Sequence, residues 1–450
     1  MRFLPDRKKY TVAIIGLGHV GSCVSLILAD RGHEVIGVDT DAALVGELRG
    51  GVCRFHEPGL AELLERCHRL PSVRFTADHA EMSAADVVIV AVGTPVDESG
   101  AFIDTQLRGA CKELSRHLRR GQLLIFKSTV PPGTTRELVI PLLESGGLSC
   151  GEDFGVVFSP ERLSQGTALR ELAELPVVVG GSDRDAAEAA EEFWRTALGV
   201  GVRSCASLET AEMIKIASNW WIDHNLALAN ELALVCSQAG VDMLDVVAAT
   251  NDLPKGGGRV NILLPSVGVG GSCLTKDPWM AWSSARRRGV ELRTVPTARA
   301  VNDGMPGYAA SLVLDALRGA GKDPGGARVA VLGLAFKNDT GDLRATPVAP
   351  MVRALREAGV RVALHDPLVS PEAAEQVFGS PSVPDVEEAV RDADCIAVTA
   401  WHREFHGIDF AELRRYTRPD CAVLDGRAYF PRETIERLGS LGYTYLGIGR

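Results

Sequence analysis

The chain lacks several features that would assign it quickly. No apolar run approaches the roughly 20 residues needed to span a bilayer. The longest, around Val87 to Val92, reads as a buried strand. The first ten residues, Met1 to Tyr10, carry charge but not the apolar stretch of a signal peptide, so a cytoplasmic protein with no membrane partner is expected. The ten cysteines include no CxxC pair and no zinc-ligand spacing, which leaves no metal expected and fits mostly buried thiols in a reducing compartment. Basic residues are not in excess: 48 Lys plus Arg face 58 Asp plus Glu, for a net charge of −10, which argues against a nucleic-acid partner. There are no repeats of solenoid period and no low-complexity tract. What remains is 450 residues with 46% hydrophobic and 24% charged, the mix of a globular chain of two or three domains. An acidic chain can still hold an anion where its few cations converge.

Short β-branched runs alternate with segments of helical length. Thr11–Ile15, Glu34–Val38, Asp86–Val92, Leu123–Phe126, Gly155–Phe158 and Pro176–Gly180 read as strands of a mostly parallel βαβ sheet. The texture then changes. Glu209 to Gln238 holds no Gly or Pro, and a helix of about 30 residues would span about 45 Å, more a connector and dimerisation element than part of a compact layer. Gly-rich stretches follow at Lys255–Gly258 and Val267–Gly271. After Gly321–Gly326 the βαβ texture returns, with strands expected at Arg328–Gly333, Val360–Leu364, Cys395–Thr399 and Ala422–Leu424. The expected fold class is α/β: two Rossmann-like, doubly wound parallel sheets at 1–205 and 306–450, joined by a helical middle at 206–305.

Gly16-Leu17-Gly18-His19-Val20-Gly21 follows the first strand and opens a helix. A lone GxGxxG is weak, and a plain βα turn is its competing reading. Here Asp39 closes the second strand about 20 residues on, which completes a dinucleotide fingerprint. Gly16 allows the tight turn, Gly18 the approach of backbone to pyrophosphate, and Gly21 close packing of helix on strand. Asp39 would accept from ribose hydroxyls and repel a 2′-phosphate, so NAD is expected over NADP. Gly93-Thr94-Pro95 and Lys127-Ser128-Thr129 end two further strands on the same edge, where such sheets bind ligands.

Gly270-Gly271-Ser272-Cys273-Leu274-Thr275-Lys276-Asp277 carries the most chemistry in the chain. If a helix begins near Ser272, Cys273 lies at its N-terminus, where the dipole favours thiolate, and Asp277 faces the same cleft. A buried inert cysteine is the competing reading. On the long stretch, Lys215 and Asn219 stand four apart on one face; a solvated lysine is the ordinary alternative. Ser159-Pro160-Glu161-Arg162 ends a strand and offers Glu161 as acid or base.

These segments together resemble the UDP-glucose/GDP-mannose dehydrogenase family. The matches are GLGHVG with Asp39, VGTP (92–95), KSTVPPGTT (127–135), SPERLSQGTA (159–168), TAEMIKIASN (210–219), VGVGGSCLTKD (267–277), RAVND (299–303), GLAFKNDTGDLR (333–344) and DGR (425–427), in family order over nearly the whole chain. The resemblance implies an NAD domain, a helical dimerisation middle and a C-terminal nucleotide-sugar domain in a homodimer or larger oligomer. It implies oxidation of a sugar C6 hydroxymethyl to the uronic acid with two NAD per turnover, through a thiohemiacetal and a thioester on Cys273. Lys215 and Asp277 would assist proton removal, Asn219 would hold the same oxygen, Thr129 would position a water and Glu161 would serve as base for hydrolysis. It further implies cofactor contacts at Gly16, Gly18, His19, Val20, Gly21, Asp39, Thr94, Thr129, Lys276 and Arg344. Substrate contacts are implied at Glu161, Arg162, Leu163, Lys215, Asn219, Arg259 (from the partner subunit), Asn261, Gly270, Phe336 and Lys337.

The sugar divides the signals. Ser272 and Lys276 resemble the branch acting on glucose nucleotides, whereas Arg259–Pro265 and Asp277-Pro278-Trp279 resemble the N-acetylmannosamine branch. Ile222 stands where that second branch tends to carry arginine, and the Trp220-Trp221 pair is unusual. UDP- or dTDP-glucose is therefore the expected substrate, with UDP-N-acetylmannosamine the alternative. A catalytically dead sensor would have lost Cys273, Lys215 or Glu161, and a β-hydroxyacid dehydrogenase needs neither the thiol nor the second α/β lobe.

Overall fold

The structure, a computed structural model, describes residues 2–5, 8–256 and 258–450. Gly257, in the expected Gly-rich stretch, and Met1, Asp6 and Arg7 of the N-terminal segment lie outside the described residues. The chain divides into two compact units, Met1–Ser218 with Trp279–Glu291, and Asn219–Pro278 with Leu292–Arg450.

The first unit is built on eight strands: β1 (Thr11–Ile15), β2 (Glu34–Val38), β3 (Val73–Thr76), β4 (Val87–Val90), β5 (Leu123–Phe126), β6 (Gly155–Phe158), β7 (Val177–Gly181) and β8 (Val202–Ser204). Their order is β3-β2-β1-β4-β5-β6-β7-β8. Every residue of β4, β5 and β6 is buried. This is why they read as continuous apolar runs: helices cover both faces of a parallel sheet. Successive side chains go to opposite faces. Val12, Ile14, Val87, Ile89, Leu123 and Ile125 join one core, while Ala13, Ile15, Val88, Val90, Leu124 and Phe126 join the other.

All pairings are parallel except β6 with β7, which is antiparallel. The connection between these two contains one helix, Ala168–Glu174 of seven residues, preceded by the Ser159–Thr167 loop. That loop keeps the chain at the carboxyl edge of β6, so β7 starts from the edge where β6 stops. Strands β3 and β8 escaped the sequence reading because both are short and carry an arginine, Arg74 and Arg203, among few apolar residues.

Leu208–Ala239 is a single helix of 32 residues, close to the expected span. Gly240 at φ +66° follows it, the left-handed residue that commonly stops a helix. In the second unit, the short pair β9 (Pro254–Lys255) and β10 (Gly258–Arg259) is antiparallel. The second sheet comprises β11 (Arg328–Leu332), β12 (Arg361–His365), β13 (Cys395–Val398), β14 (Ala422–Asp425) and β15 (Thr444–Gly447), in order β12-β11-β13-β14-β15. It is parallel throughout. Ala229 and Ala233 of the long helix and Met305, Ala309 and Val313 of the helix Thr294–Gly319 pack with Val329, Val331 and Leu424 of this sheet.

Each sheet has a switch point, where the chain leaves a central strand in one direction and later returns on its other side. In the first unit it lies between β1 and β4, in the second between β11 and β13. The two βα turns there are alike. Gly16 N–H donates to the Val38 carbonyl at 2.8 Å, and Gly333 N–H to that of His365 at 2.9 Å. Leu17 N–H and Leu334 N–H each donate to an aspartate at 2.6 Å, Asp39 and Asp366 respectively. Among the described residues, no helix is long and apolar enough to cross a membrane.

A methyl group on Gly21 would stand 1.8 Å from the Gly16 carbonyl oxygen, whereas nothing lies within 4 Å of one on Gly18. Gly21→Ala is therefore expected to cost about 3 kcal/mol of stability, and Gly18→Ala to stay within about 1 kcal/mol of wild type. Urea unfolding of the two variants checks this; equal losses would reject the contact.

Candidate active site

The first unit supplies a dinucleotide cradle. Gly16 has φ +91°, and a Cβ there would meet the Ala91 carbonyl oxygen at 2.8 Å. Gly18 precedes the helix His19–Asp30, whose first turn no side chain caps. Backbone N–H groups at that end are therefore available to a phosphate. Asp39 is half-buried; Oδ2 takes the Leu17 N–H at 2.6 Å and Oδ1 the Asp41 N–H at 2.9 Å. These bonds hold the carboxylate beside the glycine turn, where the ribose of a dinucleotide belongs. The open Gly18, the uncapped helix and the braced acid fit NAD. Val20 packs against the core, and Thr94 is buried after β4.

Two buried carboxylates brace loops of this unit. Buried Glu57 accepts from His19 Nε2 at 2.9 Å and from the N–H groups of Gly166 and Ala168, each at 2.8 Å. It thereby ties the glycine turn to the loop after β6. Fully buried Glu212, on the long helix, accepts from Gly133 N–H at 2.6 Å and Thr135 N–H at 2.8 Å. It holds the turn that follows Thr129, itself half-buried. Burial pushes the Glu212 carboxyl up to about 7, despite the two donors. Glu161, half-buried after β6, accepts from Arg162 N–H at 2.7 Å and Leu163 N–H at 2.9 Å. Its other oxygen lies 3.2 Å from Nζ of buried Lys127. Lys215 is buried, so it is not a solvated surface lysine.

The second unit carries the thiol. Cys273 is exposed, and it is the sole cysteine so placed; the other nine are buried or half-buried. It sits in a turn, and the helix starts at Asp277, not near Ser272 as expected. The placement of Cys273 at a helix N-terminus is thus corrected: the Asp277 N–H still donates to the Cys273 carbonyl at 2.8 Å, but the intervening residues form turns. The glycine lead is needed for packing. A Cβ on Gly270 would meet the Ala345 carbonyl oxygen at 2.5 Å and Phe336 Cβ at 2.7 Å, and one on Gly271 the Phe336 ring at 2.8 Å. Fully buried Asp277 accepts from Asn219 Nδ2 and Lys276 Nζ, each at 2.5 Å.

A buried polar chain runs through the same unit. Arg299 Nη1 donates to Asp223 at 2.7 Å, Asn302 to the same oxygen at 2.8 Å, and Asn230 to Asn302 at 2.9 Å. Asn230 in turn accepts the Ser266 N–H at 2.9 Å, ahead of the cysteine loop. RAVND (299–303) therefore acts as internal scaffolding.

The comparisons with known proteins bear on this geometry. The UDP-glucose/GDP-mannose dehydrogenase family matches in three parts: its NAD binding domain at residues 10–198, its central domain at 209–304 and its UDP binding domain at 330–432. The chain belongs to this family of NAD-dependent nucleotide-sugar 6-dehydrogenases. It is 32% identical over 439 residues to the UDP-N-acetyl-D-mannosamine dehydrogenase of Pyrococcus horikoshii, covering 98% of this chain and 99% of that one. It is 33% identical over 431 residues to a UDP-glucose 6-dehydrogenase of Haloferax volcanii, covering 94% and 97%. The solved UDP-D-ManNAc dehydrogenase from Pyrococcus horikoshii superposes with a TM-score of 0.86 at 31% identity, covering 98% of this chain and 99% of that chain. A UDP-glucose dehydrogenase from Pyrobaculum islandicum gives 0.85 at 30%, covering 99% of each.

Within this family member, several residues expected at ligands have internal partners. Arg162 donates its guanidinium to the Pro176 carbonyl, and Leu163 packs on the first unit's core. Lys276, expected at the cofactor, pairs with Asp277. Arg344 lies against Asp342, with Nη2 at 2.6 Å; that bond first, and the charge of Cys273 last, hold the guanidinium above its usual range. Gly270 and half-buried Phe336 shape the cysteine loop, and Lys337, next to Phe336 in sequence, is half-buried. Arg259 is exposed, 3.5 Å from Asp252. Asn261 is exposed, and its carbonyl accepts from Asn225 at 2.7 Å. Among the described residues no His, Cys, Asp and Glu group is placed to hold a metal.

Lys127, Glu57 and Glu212 were missed. Lys127 was legible as the one cation ending an apolar strand, and Glu212 as an acid three residues before Lys215. Glu57, in His56-Glu57-Pro58-Gly59, carried no local signal.

A carboxyl raised from 4.5 to about 7 in the native state binds more protons there than in the unfolded chain. The stability this contributes is full below about pH 4.5 and lost as pH rises through about 7, at most about 3 kcal/mol. Wild type should thus lose ground to Glu212→Gln across that window, read by chemical unfolding at several pH values. A pH-independent difference would reject the raised carboxyl.

Proposed function

We propose that the chain oxidises the C6 hydroxymethyl of a nucleotide-diphosphate hexose to the carboxylate, with UDP-N-acetylmannosamine or a related acetamido sugar as substrate. The observation that carries the chemistry is the exposed Cys273 in a loop that only glycines allow. Removing four electrons from an alcohol takes two hydrides, and bound NAD supplies the acceptor for each, two per turnover. The chain's own residues handle protons and the covalent link. Lys215 and Asp277 draw the proton from the C6 hydroxyl, and Asn219 donates to the same oxygen. The Cys273 thiolate attacks the resulting aldehyde, giving a thiohemiacetal whose oxidation leaves a thioester. Thr129 positions a water, and Glu161 takes its proton as the thioester is cleaved. A dehydrogenase that stopped at the aldehyde would need no thiol.

Two observations favour an acetamido sugar over glucose. Acetamido-sugar dehydrogenases recur among the relatives, in Pyrococcus, Methanococcus and Pseudomonas. The Arg259–Pro265 segment, which resembles the N-acetylmannosamine branch, is braced by Asn225, accepting the Leu263 N–H at 2.9 Å, and by Asn251, accepting the Ile262 N–H at 2.7 Å. UDP- or dTDP-glucose is the second reading, favoured by Ile222, Ser272 and the Haloferax relative. NADH formation with UDP-N-acetylmannosamine, UDP-N-acetylglucosamine, UDP-glucose, dTDP-glucose and GDP-mannose separates them. The expected result is the highest kcat/KM for an acetamido sugar, two NADH per sugar and little turnover with NADP. A higher kcat/KM for UDP- or dTDP-glucose would install the second reading.

Cys273→Ser changes one atom and should keep the fold while lowering uronic acid formation by ~10³-fold or more, about 4 kcal/mol of barrier. Serine variants of the other nine cysteines should alter stability at most. Near-normal acid production by Cys273→Ser, measured by mass spectrometry, would reject the covalent route.

A homodimer or larger assembly belongs to the same reading. Met213, Trp221, Leu228 and Val235 recur every seven or eight residues along the long helix and are all exposed, Val235 at 65%. Such a stripe matches the seam of paired helices. Sedimentation of the active enzyme should give no species smaller than a dimer; an active monomer at assay concentration would count against it.

A further inference from the structure

One buried cation in the first unit has no part in this scheme. Lys127 directly follows β5, and its side chain is 4% exposed. Its Nζ lies 5.1 Å from the ring centroid of fully buried Trp194 and donates to the Ser159 carbonyl at 3.5 Å. The same Nζ stands 3.2 Å from Glu161 Oε2. The main chains of the two residues are also joined, since Glu161 N–H donates to the Lys127 carbonyl at 3.4 Å. That bond continues the pairing of β5 with β6, whose last register is Phe126 with Phe158.

The two oxygens of Glu161 are treated differently. Oε1 takes two backbone N–H groups, from Arg162 and Leu163. Oε2 is buried and accepts no hydrogen bond; the ammonium faces it as an ion pair without hydrogen-bond alignment. The carboxylate is thus locked in orientation while Oε2 keeps a lone pair that no hydrogen bond uses. A carboxylate on a loop would otherwise sample several rotamers, and general-base catalysis requires it within hydrogen-bond reach of the proton it takes. Lys127 is well suited to impose this, because its own position is set by a ring, a carbonyl and a strand end.

We propose that Lys127 is a positioning residue for the hydrolytic half of the reaction: its ammonium holds Glu161 so that Oε2 receives the proton of the water that cleaves the thioester. The water oxygen bonds to the acyl carbon, the carbon–sulfur bond breaks and the sulfur of Cys273 leaves with the electron pair. One water proton passes to Oε2 and then to solvent, the other is lost from the product acid, and nothing is oxidised or reduced. This rests on Glu161 being the hydrolytic base, and the experiment keeps the two ideas apart.

Rapid mixing of full-length enzyme with NAD and its best sugar nucleotide is followed by NADH absorbance, and intact mass reports any acyl adduct. Glu161→Gln, Lys127→Met, Lys127→Arg and the double variant Lys127→Met/Glu161→Gln are compared with wild type. Lys127→Met should release two NADH per active site in a burst, accumulate the adduct on Cys273 and then turn over ~10²-fold more slowly. Lys127→Arg should restore part of the rate. The double variant should be no more than about 3-fold slower than Glu161→Gln alone, because the two side chains act as one unit. Calorimetric NAD binding controls for folding; if Lys127→Met fails it, Lys127→Gln, which keeps a donor for Ser159, takes its place. Turnover of the Lys127 variant within about 3-fold of wild type, a loss of the burst itself, or multiplicative losses in the double variant would each overturn the proposal while Glu161→Gln still accumulates adduct. Absence of adduct in Glu161→Gln, with unimpaired turnover, would instead overturn the role of Glu161, and this proposal with it.

Discussion

Backbone oxygens crowd the carboxyl ends of the central strands, and the functional loops take the shape that this crowding permits. At β1 the Ala91 and Gly16 carbonyls leave no room for a side chain at positions 16 and 21. At β11 a Cβ on Gly333 would stand 2.2 Å from the Ala400 carbonyl oxygen. The cysteine loop obeys the same constraint, packed by Gly270 and Gly271 against the 333–345 segment. Close approach of main chain to main chain is what brings N–H groups and a thiol to the surface of an otherwise filled structure.

The two alike turns have been put to different uses by their aspartates. Asp39 is half-buried, its bonds coming from main-chain N–H groups. Asp366, in the same register of the second sheet, is buried and accepts from His402 Nε2 at 3.0 Å, with both side chains fully enclosed. The Asp339 N–H donates to the other nitrogen of that ring, so Nε2 carries the proton. The second turn is thereby closed over its own acid by an imidazole, where the first leaves its carboxylate half-buried with main-chain donors.

Three carboxylates that line the functional loops are each held by several partners, because an unmatched charge in the interior is costly. Glu57 has three donors, Glu161 two N–H groups and an ammonium, and Asp277 an amide, an ammonium and its place at a helix start. Each of the three also has a partner remote in sequence, His19, Gly166 and Ala168 for Glu57, Lys127 for Glu161 and Asn219 for Asp277, and so ties its loop to another element of its own unit.

Periodicity and punctuation made much of this legible from the residues alone. Apolar runs marked most strands, since a two-sided parallel sheet buries consecutive residues. The Gly- and Pro-free span marked the long helix, and the glycine turn with Asp39 marked the cradle. Cys273 stood out by its Gly-Gly lead, and the ordered set of motifs pointed to the family. Tertiary structure decided the rest, because it depends on which residues meet across long separations. It decided that β7 runs against β6, that the helix after Cys273 starts at Asp277, and that Lys276 and Arg162 serve internal partners. It also brought Lys127 to Glu161 and Glu57 to His19, pairings 34 and 38 residues apart in the chain that no local pattern encodes. Local sequence carries backbone preference and the face each residue presents; the partner of a buried charge is chosen only when the sheet has been ordered around it.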